Sequence, residues 1–294
     1  MRQTWVRLSL FYFFVTAVAG VLLRSILIRP LQGIDYGNLL HAHSHLAILG
    51  WGYMALFLLI VHHFVGDRAQ TGVWLKRLFW LTQSAIVGMF VSFVLQGYAF
   101  FSILFSTLHI LLSYGFAFWV WRHLRRQSAV SGMTPLSSMF LKAGLICLVL
   151  SSLGPWTLAV LSANHLNGTG LYDAAIYFYL HFQYNGWFTL GLIAVVLRVL
   201  EKNRVVIPHK PVMLHFGLYT VSLMPSYLLS VLWLTSSPFA YVTAAVGALL
   251  QLASALPLAV LAVRLRSSLA KLYEGWAGKC FALSFFALFL KMVM

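Results

Sequence analysis

Long apolar stretches alternate with short polar joints along the whole chain. A window of about 19 residues picks out nine such stretches. They fall at approximately 7–28, 40–63, 73–96, 101–121, 138–161, 174–198, 211–234, 239–263 and 276–293. Each can form a membrane-crossing helix, which needs ~20 apolar residues. No polar tract or low-complexity run divides them. The pattern predicts an all-α, polytopic transmembrane helical bundle of about nine helices, folded as a single domain over residues 1–294. No internal repeat is evident at this level. The opening "MRQTWVRLSLFYFFVTAVAG" has the basic, apolar and small residues of a signal peptide. Its apolar run continues to about Ile28, so it is expected to stay as the first helix. Gly154-Pro155 and Met224-Pro225 are expected to kink the fifth and seventh helices, because proline removes a helical donor.

Composition agrees: the chain is 61% hydrophobic and only 9% charged, against roughly 25% charged for a soluble domain. The net charge of +15 does not indicate nucleic acid, because the basic residues lie almost entirely in the short joints. The joints after the second, fourth, sixth and eighth stretches carry Arg68, Lys76 and Arg77; Arg122, Arg125, Arg126 and Lys142; Arg198, Lys202, Arg204 and Lys210; and Arg264, Arg266, Lys271 and Lys279. The opposite joints carry only Arg24 and Arg29. The positive-inside rule then places the N-terminus in the cytoplasm and, with nine spans, the C-terminus outside. A bacterial inner membrane is the expected location. Cys147 and Cys280 lie in apolar runs, and neither CxxC nor CxxCH occurs. Zinc-finger, thioredoxin and covalent c-type haem readings fall away.

Against this apolar background the histidines stand out. "LLHAHSHLAILGWGY" (39–53) puts His41, His43 and His45 at the outer end of the second helix. His109, in "FSTLHILLSYGF", and His181, in "YFYLHFQYNGWF", lie below the outer ends of the fourth and sixth. At 1.5 Å per residue, His45, His109 and His181 reach a common depth of roughly 8–12 Å. An inner layer holds His62, His63, His123, His209 and His215. Ionisable residues within membranes usually face the bundle interior and mark functional sites. Imidazole is also the commonest metal ligand and a frequent axial haem ligand. His41 and His45 are four apart and share a helix face, whereas His43 points roughly opposite. Either two sites are served, or one histidine is interfacial. A structural role, bonding a carbonyl or hydroxyl of a neighbouring helix, stands beside ligation for each.

The five acids, Asp35, Asp67, Asp173, Glu201 and Glu274, fall at joints or helix ends. Proton pumping is therefore disfavoured, since it usually uses intramembrane carboxylates as relays. Neither a P-loop nor GxGxxG, HExxH or GxSxG is present, so nucleotide and hydrolase chemistry have no candidate.

"HSHLAILGW" (43–51) resembles the second-helix haem-ligand region of the haem–copper oxidase superfamily, notably cbb3-type oxidases and nitric oxide reductases. It is still more similar to the "HAHEMLFGF"-like motif of the NnrS family of membrane haem proteins. "YLHFQYNGWF" (179–188) resembles the sixth-helix motif of nitric oxide reductases, with His181 at the position of a non-haem metal ligand and Asn185 where those enzymes carry Glu. Helix seven offers only His215, and the last two stretches carry no histidine. The chain thus looks like a shortened relative that keeps one centre. The resemblance implies a b-type haem, alone or with copper or non-haem iron, near the outer face. His45 and His181 are the preferred cofactor ligands, then His109 and His43, then His41. His181 and His109 are the candidates for a metal, with Gln183, Tyr184 and Asn185 around them. The implied role is handling nitric oxide or oxygen, or passing electrons from quinol or a partner electron-transfer subunit. The alternatives are a non-catalytic haem or copper sensor or assembly factor, and a small-molecule transporter with structural histidines.

Overall fold

In the computed structural model, residues 3–29, 32–65, 72–131, 135–272 and 275–293 are described; Asp67, Arg68 and Glu274 lie outside them. Among these residues there are helices and no strands. The helices are α1 (Gln3–Ile28), α2 (Tyr36–Phe64), α3 (Val73–Gln96), α4 (Phe100–Ser131), α5 (Leu136–Ala163), α6 (Gly170–Lys202), α7 (His209–Tyr227), α8 (Pro238–Leu272) and α9 (Gly275–Val293). Among the described residues, α1 to α8 each contain a stretch long and apolar enough to cross a membrane. Helix α9 occupies the last expected stretch. Most boundaries lie within a few residues of the apolar pattern; α4 and α8 run on about nine or ten residues past their expected ends at 121 and 263, and the α-helical part of α7 stops at Tyr227, short of 234. Asp35 opens α2, its carboxylate accepting from the Asn38 N–H at 2.8 Å. Thr169 opens α6 in the same way, through the Tyr172 N–H. Such caps satisfy orphan donors of the first turn.

The chain resolves into two compact units, Met1–Met133 and Thr134–Met294. In unit 1, α1 packs on α2 and α3. Trp5 stacks on Phe79 with centroids 4.0 Å apart, and the Tyr12 hydroxyl donates to Gln83 Oε1 at 2.8 Å. Helices α3 and α4 form a hairpin in which Trp74 stacks on Trp119 at 5.4 Å. Between α2 and α4, Phe57 stacks on Phe116 at 4.3 Å. Packing of this kind is what holds helices together in lipid, where apolar side chains gain nothing by leaving the solvent.

In unit 2, α5 is interrupted between Ser151 and Leu153, just before Pro155, which has no N–H for the Ser151 carbonyl. Helix α7 passes through Pro225 and ends in a 3₁₀ turn, Leu228–Ser230. Both expected proline sites therefore coincide with irregularities. Helices α7 and α8 form a long hairpin, tightest where Gly247 meets the backbone of Pro225 and Ser226. At the opposite end of the unit, Glu201 accepts from the Ser137 N–H at 3.0 Å and from the Ser137 hydroxyl. A side chain of α6 thus caps the start of α5. Glu201→Ala is expected to lower stability by about 1–2 kcal/mol, with Glu201→Gln intermediate. Thermal melts in detergent test this, and equal melting of Glu201→Ala and the unsubstituted protein would refute the cap.

The two units share a plan that the apolar pattern conceals. In each, the second helix contains a seven-residue π-helical segment, Leu46–Gly52 in α2 and Phe182–Phe188 in α6. Each segment follows directly after a histidine, His45 or His181, and each packs on the first helix of its unit. Both read His-x-x-x-x-Gly-Trp: His45 to Gly50-Trp51, and His181 to Gly186-Trp187. The glycine has a packing reason in unit 2. A Cβ on Gly186 would run into Cys147 of α5, 2.8 Å from its Sγ.

Candidate functional site

A π segment carries one residue more per turn than an α-helix, so carbonyls lose their usual partners and need others. In α6 the Tyr184 carbonyl accepts from the Thr189 hydroxyl at 2.7 Å, and the Asn185 carbonyl from the Tyr219 hydroxyl of α7 at 2.8 Å. In α2 the residue aligned with Asn185 is Leu49.

In unit 1 His109 is 2% exposed, and its Nε2 has no hydrogen-bond partner. The ring of Tyr53 stands edge-on to it with centroids 4.8 Å apart. A buried, unpaired ring nitrogen costs about 1–3 kcal/mol. His45 begins the π segment of α2. Its Nδ1 lies 2.8 Å from the His41 carbonyl, and its ring stacks obliquely on Phe93 of α3 at 4.2 Å. His41 continues this face toward Tyr98, ring to ring at 4.7 Å. His43 looks the other way, as its helical position predicts. Its Nδ1 meets the Thr16 carbonyl of α1 at 3.0 Å, and its ring lies over Gly20.

His181 belongs to unit 2, and its surroundings are of another kind. Its Nε2 meets the Leu223 carbonyl of α7 at 2.8 Å, while the Asn185 side-chain amide lies 3.1 Å from its Nδ1. The consistent assignment has Nε2–H donating to Leu223 and Nδ1 accepting from Asn185, so both nitrogens are engaged. Of the three groups expected around His181, only Asn185 is bonded to it. Gln183 turns to the Ser151 hydroxyl at 3.0 Å, and Tyr184 is exposed. Gln183 and Tyr184 follow His181 by two and three residues, so helical geometry sends them to other sides of α6.

A metal held by several protein ligands finds no support. Among the described residues no three His, Cys, Asp or Glu side chains gather as such a site requires. An axial haem site asks for less: an imidazole with Nε2 free and Nδ1 fixed by an acceptor. His109 has a buried Nε2 without a partner, and His45 has its Nδ1 on a carbonyl; both nitrogens of His181 are engaged.

Sequence reasoning underrated one residue. His215 is 1% exposed, with Nδ1 2.8 Å from the Ser254 carbonyl of α8 and an unpartnered Nε2. It packs against Phe140 and Tyr219. Its spacing four residues before Tyr219, which closes the α6 π segment, was the available signal.

Fold and composition define an integral, polytopic helical membrane protein. No protein-family model matches the chain, and no curated protein and no solved structure matches it either.

Proposed function

We propose that this is a membrane haem protein whose first unit carries a b-type haem on His45 and His109. The observation that carries this reading is the buried His109 Nε2, which lacks a partner and stands against Tyr53, on the same helix as His45. The carbonyl of His41 orients the His45 ring, as a ligating imidazole requires. Phe93 and Tyr53 cover them and keep water away. When bound, the haem supplies one-electron chemistry or a binding position for a diatomic gas such as nitric oxide or oxygen. With both imidazoles engaged, the site suits passage of quinol-derived electrons; with one engaged, it leaves room for the gas. The distribution of lysine and arginine supports a cytoplasmic N-terminus in a bacterial inner membrane, with His45 toward the outer face.

The test is a reduced-minus-oxidised spectrum and an iron assay on protein purified in mild detergent, with carbon monoxide added to the reduced sample. A b-type band is expected, and His45→Ala is expected to shift or remove it. A carbon-monoxide shift in the unsubstituted protein identifies the open position. Protein without iron and without a haem band would overturn the proposal and leave the histidines as structural partners, as His181 already is.

A further inference from the structure

A second feature lies apart from the histidines, between α8 and α9 of unit 2. The two helices enclose an elongated groove of about 830 Å³, within the range of small-molecule sites. Its deep part is lined by Ala259, Ala262, Phe286 and Phe289, and Arg266 and Lys279 line it nearer the turn between the helices. The small residues of α8 keep the groove open, and the phenylalanines of α9 make its wall apolar. Lys279 is positioned by Trp276, whose ring centre lies 4.9 Å from its Nζ. An apolar trough with two cations toward one end is complementary to an amphiphile: a hydrocarbon chain in the trough and an anion beside the cations. Helix α8 is apolar enough to cross the membrane, so the trough opens where such molecules are the solvent. Basic pockets between transmembrane helices bind anionic headgroups in this way.

We infer that the α8–α9 groove is a binding site for one anionic phospholipid, its acyl chain against Ala259, Ala262 and Phe286 and its phosphate between Arg266 and Lys279. The cations select the headgroup, and the trough supplies most of the contact area.

Native mass spectrometry of the full chain in dodecyl maltoside, given phosphatidylglycerol or phosphatidylcholine with identical acyl chains, tests the assignment. Two cations near a membrane surface correspond to roughly thirtyfold preference for the anionic lipid. Arg266→Gln combined with Lys279→Gln is expected to abolish that preference, and Ala262→Trp to reduce retention of both lipids by filling the trough. Glycerol phosphate, the headgroup without the chains, is expected not to compete. Four results would overturn the assignment: equal retention of the two lipids by the unsubstituted protein, preference surviving the double substitution, displacement of the lipid by glycerol phosphate, or a dimer that Ala262→Trp converts to monomer with lipid retention unchanged. Should Ala262→Trp not fold, the double substitution, on exposed side chains, decides the question alone.

Discussion

His109→Gln is expected to lose the haem spectrum and remain folded. Glutamine keeps a polar side chain of similar length at this position. What it lacks is the second nitrogen, the Nε2 that stands buried without a partner in the native side chain. Removing the groups that merely orient a ligating histidine costs 10–100-fold in affinity, so losing the ligand itself should lower haem per polypeptide roughly tenfold or more. His109→Ala is a harsher change. It leaves a cavity beside Tyr53, for about 2–4 kcal/mol of destabilisation. The informative contrast is with His181→Gln in unit 2, which is expected to lower the melting temperature and keep the band, because both nitrogens of His181 already serve the protein. A band that survives His109→Gln and vanishes with His181→Gln would reverse the assignment.

Gly247→Ala carries the largest expected structural effect. At this crossing α8 approaches α7 so closely that an added methyl would enter the backbone of Pro225 and Ser226, 2.6 Å from the Pro225 carbonyl carbon. Overpacking typically costs 1–3 kcal/mol when side chains can move aside. Here the obstacle is main chain next to a proline, and about 3 kcal/mol is expected. Gly217, also on α7, is the matched control: a Cβ there meets nothing within 4 Å. Gly217→Ala should be neutral or stabilising by up to about 1 kcal/mol, the helix-propensity difference. Thermal melts of the two variants in the same detergent decide the matter, and equal melting temperatures would show that the crossing is slack.

The helices were legible because each depends on a stretch of twenty or so apolar residues, a signal that no single contact can overturn. Caps and prolines sharpened their ends: Asp35, Thr169 and Pro155 all fall where α2, α6 and the break in α5 require them. The division of His43 from His41 and His45 was legible for the same reason, since helical geometry alone sends them to α1 and α3. The state of each ring nitrogen was not. The acceptor for His181 lies 42 residues away at Leu223, and no local pattern marks the His109 Nε2 as unpartnered. A single inserted residue per turn barely alters hydrophobic periodicity, so the π segments cannot be seen in apolar spacing. They do leave a trace in letters, the two copies of His-x-x-x-x-Gly-Trp, but each is short and sits in a helix of otherwise different side chains.

The π segment of α2 also has a consequence for how the chain tolerates change. A residue inserted into an ordinary helix would advance everything after it by about 100° around the axis. A π turn absorbs the extra residue instead, so the residues on either side of Leu46–Gly52 keep their register. Deleting one residue between Leu46 and Gly52 is expected to restore an ordinary helix and leave Tyr53 and Phe57 facing His109 and Phe116. The span can thus change its length by one residue at this place without turning its two ends out of step.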